Sequence, residues 1–217
     1  MTVPKLFYFP GNASLIAHIV LEEIGAPFEL AFVDRAAGAH KSADYLKLNP
    51  NGQIPVLVDG DIVLYETGAI CLHLADTHPD AHLVPALGTP ARAHCYKWLA
   101  WASNSLQATL MIYFYPDRLA APGDAQAAVQ VKAQAEARIN ALVDQVETEL
   151  AARGGPWILG TTYSAADPYL LVLCRWTRGF ARPARSLPQI GAYLQRMLAR
   201  PAVQRAIATE KLVPPLV

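Results

Sequence analysis

The chain has 217 residues, 53% of them hydrophobic, and its 18 basic and 18 acidic side chains give a formal net charge of zero and a pI near 7.0. That length and apolar content suit one compact domain or two small ones packed together, with enough apolar surface for a subunit interface. The charge balance argues against nucleic acid as the main partner, and every apolar stretch is interrupted too often for a transmembrane span.

Cys71, Cys95 and Cys174 are odd in number, widely spaced and without a CxxC pair. The pattern reads as a reducing, cytoplasmic setting, with each thiol a small core residue. The His94-Cys95 neighbour pair does not by itself make a metal site, and no metal is implied. The first residues, MTVPKLFYFPGN, lead straight into a strand and lack a basic region followed by a long apolar one, so no secretory signal is expected.

In chain order, Leu6–Phe9 reads as a strand and Ser14–Ile24 as an amphipathic helix with Leu15, Ile16, Ile19 and Val20 on its apolar face. Gly25 ends that helix, Pro27 prevents its continuation, and Phe28–Val33 follows as a second strand. A strand-helix-strand unit implies a parallel pair with a crossover. Val56–Val58 and Ile62–Leu64 are joined through Asp59-Gly60, a tight hairpin signal. A helix over Glu66–Ala75 closes the unit, an order that matches a thioredoxin-like domain.

His78-Pro79, Pro85, Gly88 and Pro90 then mark a linker. Beyond it the sequence predicts helices over Ala91–Tyr115, Ala125–Ala152, Ala165–Arg178 and Leu187–Leu198, with a short one after Pro201. The second of these carries Val131, Ala135, Ile139, Leu142 and Val146 at three- and four-residue steps. Gly154-Gly155-Pro156 stops it. The expected organisation is an α/β thioredoxin-like domain over 1–80, a linker over 81–90 and an all-α helical domain over 91–217. Ser164-Ala165-Ala166-Asp167 has the form of a capping box, with the Ser hydroxyl accepting from the N–H at 167 and the Asp carboxylate reaching back to the N–H of Ser164.

The most informative run is Asn49–Ile70, NPNGQIPVLVDGDIVLYETGAI. Pro55 stands where a strand begins, and a cis Ile54–Pro55 bond is the usual reason for a turn there. That geometry would leave the backbone of Ile54 free to pair with a bound peptide. Glu66 and Thr67 open a helix whose start offers free N–H groups and positive potential to a carboxylate. Together these features suggest a small, anionic, peptide-like ligand.

Gln53-Ile54-Pro55 and Glu66-Thr67-Gly68-Ala69-Ile70 resemble the glutathione-binding half of the glutathione transferase superfamily, and the whole chain follows that family's layout. The family usually has Ser where Thr67 sits, and Thr keeps the hydroxyl. The resemblance implies that Glu66 meets the γ-glutamyl ammonium of glutathione, Thr67 its carboxylate, and the backbone of Ile54 the cysteinyl unit, with Pro55 setting that backbone. Gln53 is an amide donor, and His40 or Lys41 the partner of the glycyl carboxylate. In the family the region of Tyr113, Tyr115 and Arg118 forms part of the acceptor-substrate pocket.

The turn Pro10-Gly11-Asn12-Ala13-Ser14 resembles the Pro-Gly-x-Cys-Ser-Leu turn of Beta-class bacterial members, with Ala13 in place of their catalytic cysteine. Gln107-Ala108 stands where those enzymes place a His-Lys pair. Cysteine chemistry is therefore not expected. A free thiol has a pKa of about 8.5, and each tenfold gain in acidity requires about 1.4 kcal/mol of preferential stabilisation of the anion. Three residues are candidates for that donor: Ser14 first, otherwise an N-cap; Asn12 second, otherwise a turn residue; Tyr8 third.

The expected function is a cytoplasmic, homodimeric transferase that adds the glutathione thiolate to small hydrophobic electrophiles. The alternatives are a glutathione-dependent isomerase, lyase or reductase, and a non-catalytic glutathione-binding or partner protein on the same scaffold.

Overall fold

A computed structural model describes residues 3–217. Four strands, β1 (Lys5–Tyr8), β2 (Glu29–Phe32), β3 (Val56–Asp59) and β4 (Ile62–Leu64), form one sheet in the order β2-β1-β3-β4. β1 runs parallel to β2, with Lys5 opposite Glu29 and their side chains paired at 2.9 Å. β1 and β3 are antiparallel, as are β3 and β4 across the Asp59-Gly60 hairpin. The parallel pair requires a crossover, and α1 (Ser14–Ile24) supplies it. Gly25 closes that helix at φ 72°, donating its N–H to the Leu21 carbonyl.

α1 is buried almost all round, from Ser14 to Leu21. It packs between the sheet and the helical half of the molecule, so one large core is continuous from Leu6 and Leu57 to Tyr169 and Tyr193. The other face of the sheet carries a smaller cluster of Val33, Tyr45, Ile54 and Val56. Its cover is α2 (Ala43–Leu48), a six-residue helix that the residue pattern does not predict. Ser42 caps it by accepting the Tyr45 N–H.

α3 (Thr67–Thr77) follows the hairpin. The helix predicted over Ala91–Tyr115 is one continuous rod with three parts: α4 (Pro90–Trp101), a π-helical stretch over Ala102–Gln107, and α5 (Ala108–Phe114). α6 (Ala125–Arg153), α7 (Ala166–Trp176), α8 (Pro188–Leu198) and α9 (Pro201–Thr209) complete the bundle. Among the described residues no helix is long and apolar enough to cross a membrane.

The end of α1 shows how the two halves are joined. Glu22 and Glu23 occupy its last turn, where a negative charge opposes the helix dipole. Both are met by arginines of the helical half: Arg200 forks onto Glu23 at 2.6 and 2.8 Å, and Arg205 pairs with Glu22. Tyr163 also donates to Glu23, at 2.9 Å, and the Arg200 guanidinium lies over its ring.

The capping box at the start of α7 is half as expected. The Asp167 carboxylate does accept the Ser164 N–H, at 2.8 Å. The Ser164 hydroxyl, however, accepts from Ala166, while the N–H of Asp167 goes to the Ser164 carbonyl. Asp167 is fully buried and accepts from the Ile158 N–H and the Tyr193 hydroxyl as well, so it ties α7 to the preceding loop and to α8.

Candidate functional site

A cavity of about 470 Å³ opens between the sheet domain and the helical domain. Its sheet side is built from the turn Phe9–Ala13, from Arg35, His40 and Lys41, and from Asn51–Ile54; its helical side from Gln107, Met111, Phe114, Tyr115, Arg118, Trp176 and Arg178. A smaller cavity of about 40 Å³, lined by Asn49, Pro55, Glu66, Thr67 and Tyr169, adjoins it and shares Gln53, Ile54 and Gln107.

The floor of both cavities is the run singled out in the sequence. The Ile54–Pro55 peptide is cis. The carbonyl of Gln53 is held from two sides, by the Tyr45 hydroxyl at 2.8 Å and the Asn49 side-chain amide at 2.9 Å. This is the role of α2, which carries Tyr45. Gly52, at φ 57°, is packed so closely that a Cβ there would lie 2.7 Å from the Lys41 ammonium and 2.9 Å from the His40 carbonyl. Only glycine lets these two loops meet. Lys41 in turn donates to the Asn51 carbonyl at 3.2 Å.

Glu66 is exposed and has φ 74° and ψ 108°, a conformation that side chains other than glycine seldom adopt. Thr67 beside it is buried at the first position of α3. His40 sits on the wall of the larger cavity with its Nδ1 buried and unpartnered. Desolvation, with Arg35 and Lys41 adding to it, holds its pKa below the ordinary histidine value, so the ring is neutral at pH 7.

The three candidates for a thiol-activating donor are placed very differently. Asn12 lines the large cavity, and its Oδ1 accepts the N–H of Ala13 at 2.6 Å, which leaves the NH₂ as the group on offer. Ser14 does not fit the role expected from the sequence. It is completely buried, and its hydroxyl is spent on the backbone of Phe9, donating to the carbonyl at 3.1 Å and accepting the N–H at 3.2 Å. It is not the N-cap of α1 through its side chain either. Tyr8 lies outside the cavity lining, its ring set against Phe32 and tilted toward His18.

Of the acceptor-pocket residues, Tyr115 and Arg118 line the cavity, with the Arg118 guanidinium 4.1 Å from the Tyr115 ring centre. Tyr113 does not. Its ring packs on Phe180 at 4.2 Å and under Lys132, while the chain leaves the helix at Tyr115, whose φ of −132° turns that residue away from the helical course. Met111, Trp176 and Arg178 line the cavity without having been singled out in the sequence. The last two come from the end of α7, and only the packing of that helix brings them here.

No cysteine reaches either cavity. Cys71, Cys95 and Cys174 are all buried, and burial pushes their thiols up to about 12, about 11 and about 12. None can supply a thiolate at neutral pH. Among the described residues no group of three or more His, Cys, Asp or Glu side chains is gathered so as to hold a metal ion.

The fold agrees with the comparisons to known proteins. Residues 2–76 match the glutathione S-transferase N-terminal domain and residues 102–201 the glutathione S-transferase C-terminal domain. The chain is 34% identical to glutathione S-transferase GstA of Escherichia coli O157:H7, over 96% of this chain and 99% of that protein. It belongs to the glutathione S-transferase family. Glutathione S-transferase GST-4.5 of Xanthomonas campestris is similar at 35% identity, over 96% of this chain and 99% of that protein. Among solved structures, a glutathione transferase homolog from Sulfitobacter with bound glutathione superposes with a TM-score of 0.88 at 30% identity, covering 98% of this chain and all of the other. A glutathione transferase from Methylococcus capsulatus gives a TM-score of 0.83 at 39% identity, covering 97% of this chain and all of the other. The chain is thus a glutathione transferase with a thioredoxin-like N-terminal domain and a helical C-terminal domain.

Proposed function

We propose that this transferase binds glutathione along the run from Gln53 to Thr67 and adds its thiolate to a small electrophile held in the larger cavity. The observation that carries the reading is that the two cavities are neighbours sharing Gln53, Ile54 and Gln107 in their linings. An extended tripeptide laid over these shared residues reaches into both. The γ-glutamyl end takes Glu66 for its ammonium and the start of α3, with Thr67, for its carboxylate. The backbone of Ile54 pairs with the cysteinyl unit, and the glycyl carboxylate reaches His40 and Lys41. Neutral His40 offers a hydrogen bond there and Lys41 a charge.

This pose brings the sulfur toward the Phe9–Ala13 turn, where Asn12 is the donor with a free N–H. Asn12 stabilises the thiolate, and the sulfur then attacks an acceptor whose apolar body packs against Phe114, Tyr115 and Trp176. Ala13 leaves no enzyme thiol for a mixed disulfide at this turn, which favours conjugation over disulfide exchange. The working form is a homodimer in the cytoplasm. Ile62 and Val63 of the edge strand β4, with Tyr65 beyond it, are exposed apolar groups that a second copy would cover.

Calorimetric titration with glutathione tests the reading. Wild type should bind, Glu66→Ala and Thr67→Ala should each weaken binding about tenfold or more, and absence of affinity at millimolar glutathione would refute it.

A further inference from the structure

The large cavity, lined by both aromatic and polar residues, carries a concentration of positive charge. Arg35, Arg118, Arg178 and Lys41 all line it, and no aspartate or glutamate does. Among the described residues none of these four cations stands in an ion pair, although eight other Lys and Arg side chains do. Their contacts are with neutral groups. Arg35 donates to the Tyr115 hydroxyl at 2.9 Å and lies 5.6 Å from the Phe9 ring centre. Arg118 stacks on Tyr115, and Arg178 donates to the Arg175 carbonyl at 3.2 Å. These contacts hold the guanidiniums at the cavity without neutralising them.

Glutathione uses only part of this charge. Its two carboxylates are assigned to the start of α3 and to His40 with Lys41, all on the sheet side. Arg118 and Arg178 stand on the helical side, where the acceptor goes, and Arg35 reaches that side through its hydrogen bond to the Tyr115 hydroxyl. A wholly apolar acceptor would cover guanidiniums and give them nothing in return for lost water. An acceptor bearing a carboxylate would pair with them through planar, charge-assisted hydrogen bonds. The aromatic rings of Phe114, Tyr115 and Trp176, which line the same cavity as these cations, suit a flat, conjugated body.

We infer that the preferred acceptor is an anionic aromatic or conjugated electrophile, its carboxylate held by Arg118 and Arg178. This rests on the proposed conjugation of glutathione. With a chloroarene carboxylate the step is a substitution: the thiol proton passes to solvent, the sulfur lone pair forms the S–C bond at the chlorine-bearing carbon, and chloride leaves with the C–Cl electrons. No oxidant or reductant is required.

The test compares para-chlorodinitrobenzoate with its uncharged primary amide, taking kcat/KM for each relative to its uncatalysed rate with glutathione. Wild type should favour the carboxylate by about tenfold or more, and the preference should shrink as salt is added. Arg118→Gln and Arg178→Gln should each cut that ratio several-fold; both sites are exposed, and melting temperature verifies that each variant folds. Turnover of the amide with no preference for the carboxylate, or a preference untouched by both substitutions, overturns this inference alone. Failure to turn over either reagent, with no glutathione binding by calorimetry, overturns the proposed function along with it.

Discussion

The carboxylate of Glu210 accepts the backbone N–H of Gly11 at 2.7 Å across 199 residues of sequence. Its other oxygen takes the Nδ1–H of His18 at 2.8 Å, with both side chains fully buried. The Trp176 indole donates to the Gly11 carbonyl at 3.0 Å, so both polar groups of this one peptide residue are held by the helical domain. Gly11 has φ 69°, and the Leu212 side chain lies 3.5 Å from where a Cβ would be. The turn carrying Asn12 is therefore clamped from outside its own domain. Glu210→Ala leaves the Gly11 N–H and the His18 ring without their partner, and should cost about 3–5 kcal/mol of stability as well as turnover. Urea unfolding alongside steady-state kinetics measures both; a variant that unfolds like wild type would show the clamp to be idle.

Asn12 and Ser14 are separable by experiment because the structure gives them different work. Asn12→Ala should raise the pKa of bound glutathione thiol toward its free value of about 8.5. At a pH below that pKa, kcat/KM should fall about tenfold each time the pKa rises by one, with glutathione affinity little changed. Ser14→Ala strips the Phe9 N–H of a buried acceptor and should instead lower stability by about 1–3 kcal/mol. The pH profile of kcat/KM and the melting temperature of the two variants decide the matter. If Ser14→Ala moved the profile and Asn12→Ala did not, the roles would be reversed.

Most of the frame is open to reading from residue pattern. α1 and β4 lie where the sequence places them, because Gly25 and the Asp59-Gly60 hairpin are strong local signals. α2 escapes such a reading, since Ala43–Leu48 is too short to show a helical period, although Ser42 is a cap signal beside it. The π-helical stretch leaves no mark in the sequence: Ala102–Gln107 is an ordinary helical run, and the widened turn exists only in the packed rod. At the candidate site, Glu66, Thr67 and Gln53–Pro55 stand out in the sequence because they fall within one run, Asn49–Ile70, and all of them line a cavity. Trp176 and Arg178 are not, because they reach the cavity only through the docking of α7. Ser14 misleads for a related reason. A serine after a turn offers a hydroxyl to either ligand or backbone, and here the backbone of Phe9 takes it.

The backbone of Glu66 sets stability against binding. A non-glycine residue held at φ 74° carries strain of roughly 1–3 kcal/mol. Glycine adopts that angle freely, so Glu66→Gly should leave the melting temperature unchanged or higher despite the added freedom of the unfolded chain. The same variant loses the carboxylate proposed to hold the glutathione ammonium, and its glutathione Kd should rise about tenfold or more. Glu66→Ala keeps the strain and loses the carboxylate, so it should show the weaker binding without the gain in stability. Thermal melts and glutathione titration of the pair distinguish the two effects.

Asp167 makes a prediction about pH. Burial pushes its carboxyl up to about 6, even though the N–H groups of Ile158 and Ser164 and the hydroxyls of Tyr193 and Ser164 all favour the anion. In the unfolded chain the group returns to about 3.9. Between those values the folded protein binds the proton and the unfolded chain does not, so stability from this group is fully present below about pH 4 and is lost as pH rises through about 6. The loss is on the order of 3 kcal/mol. Asp167→Asn cannot titrate. The stability of wild type relative to that variant should therefore decline as pH is raised from about 4.5 to 7, the reverse of the usual surface carboxylate. Asp167→Ala removes the acceptor altogether, leaving buried donors of Ile158, Ser164 and Tyr193 unpaired, and should cost about 3 kcal/mol or more at any pH. Denaturant unfolding of the three proteins at several pH values tests both statements. A wild-type to Asn difference that stayed flat with pH would mean that Asp167 ionises in the folded protein as readily as in the unfolded chain.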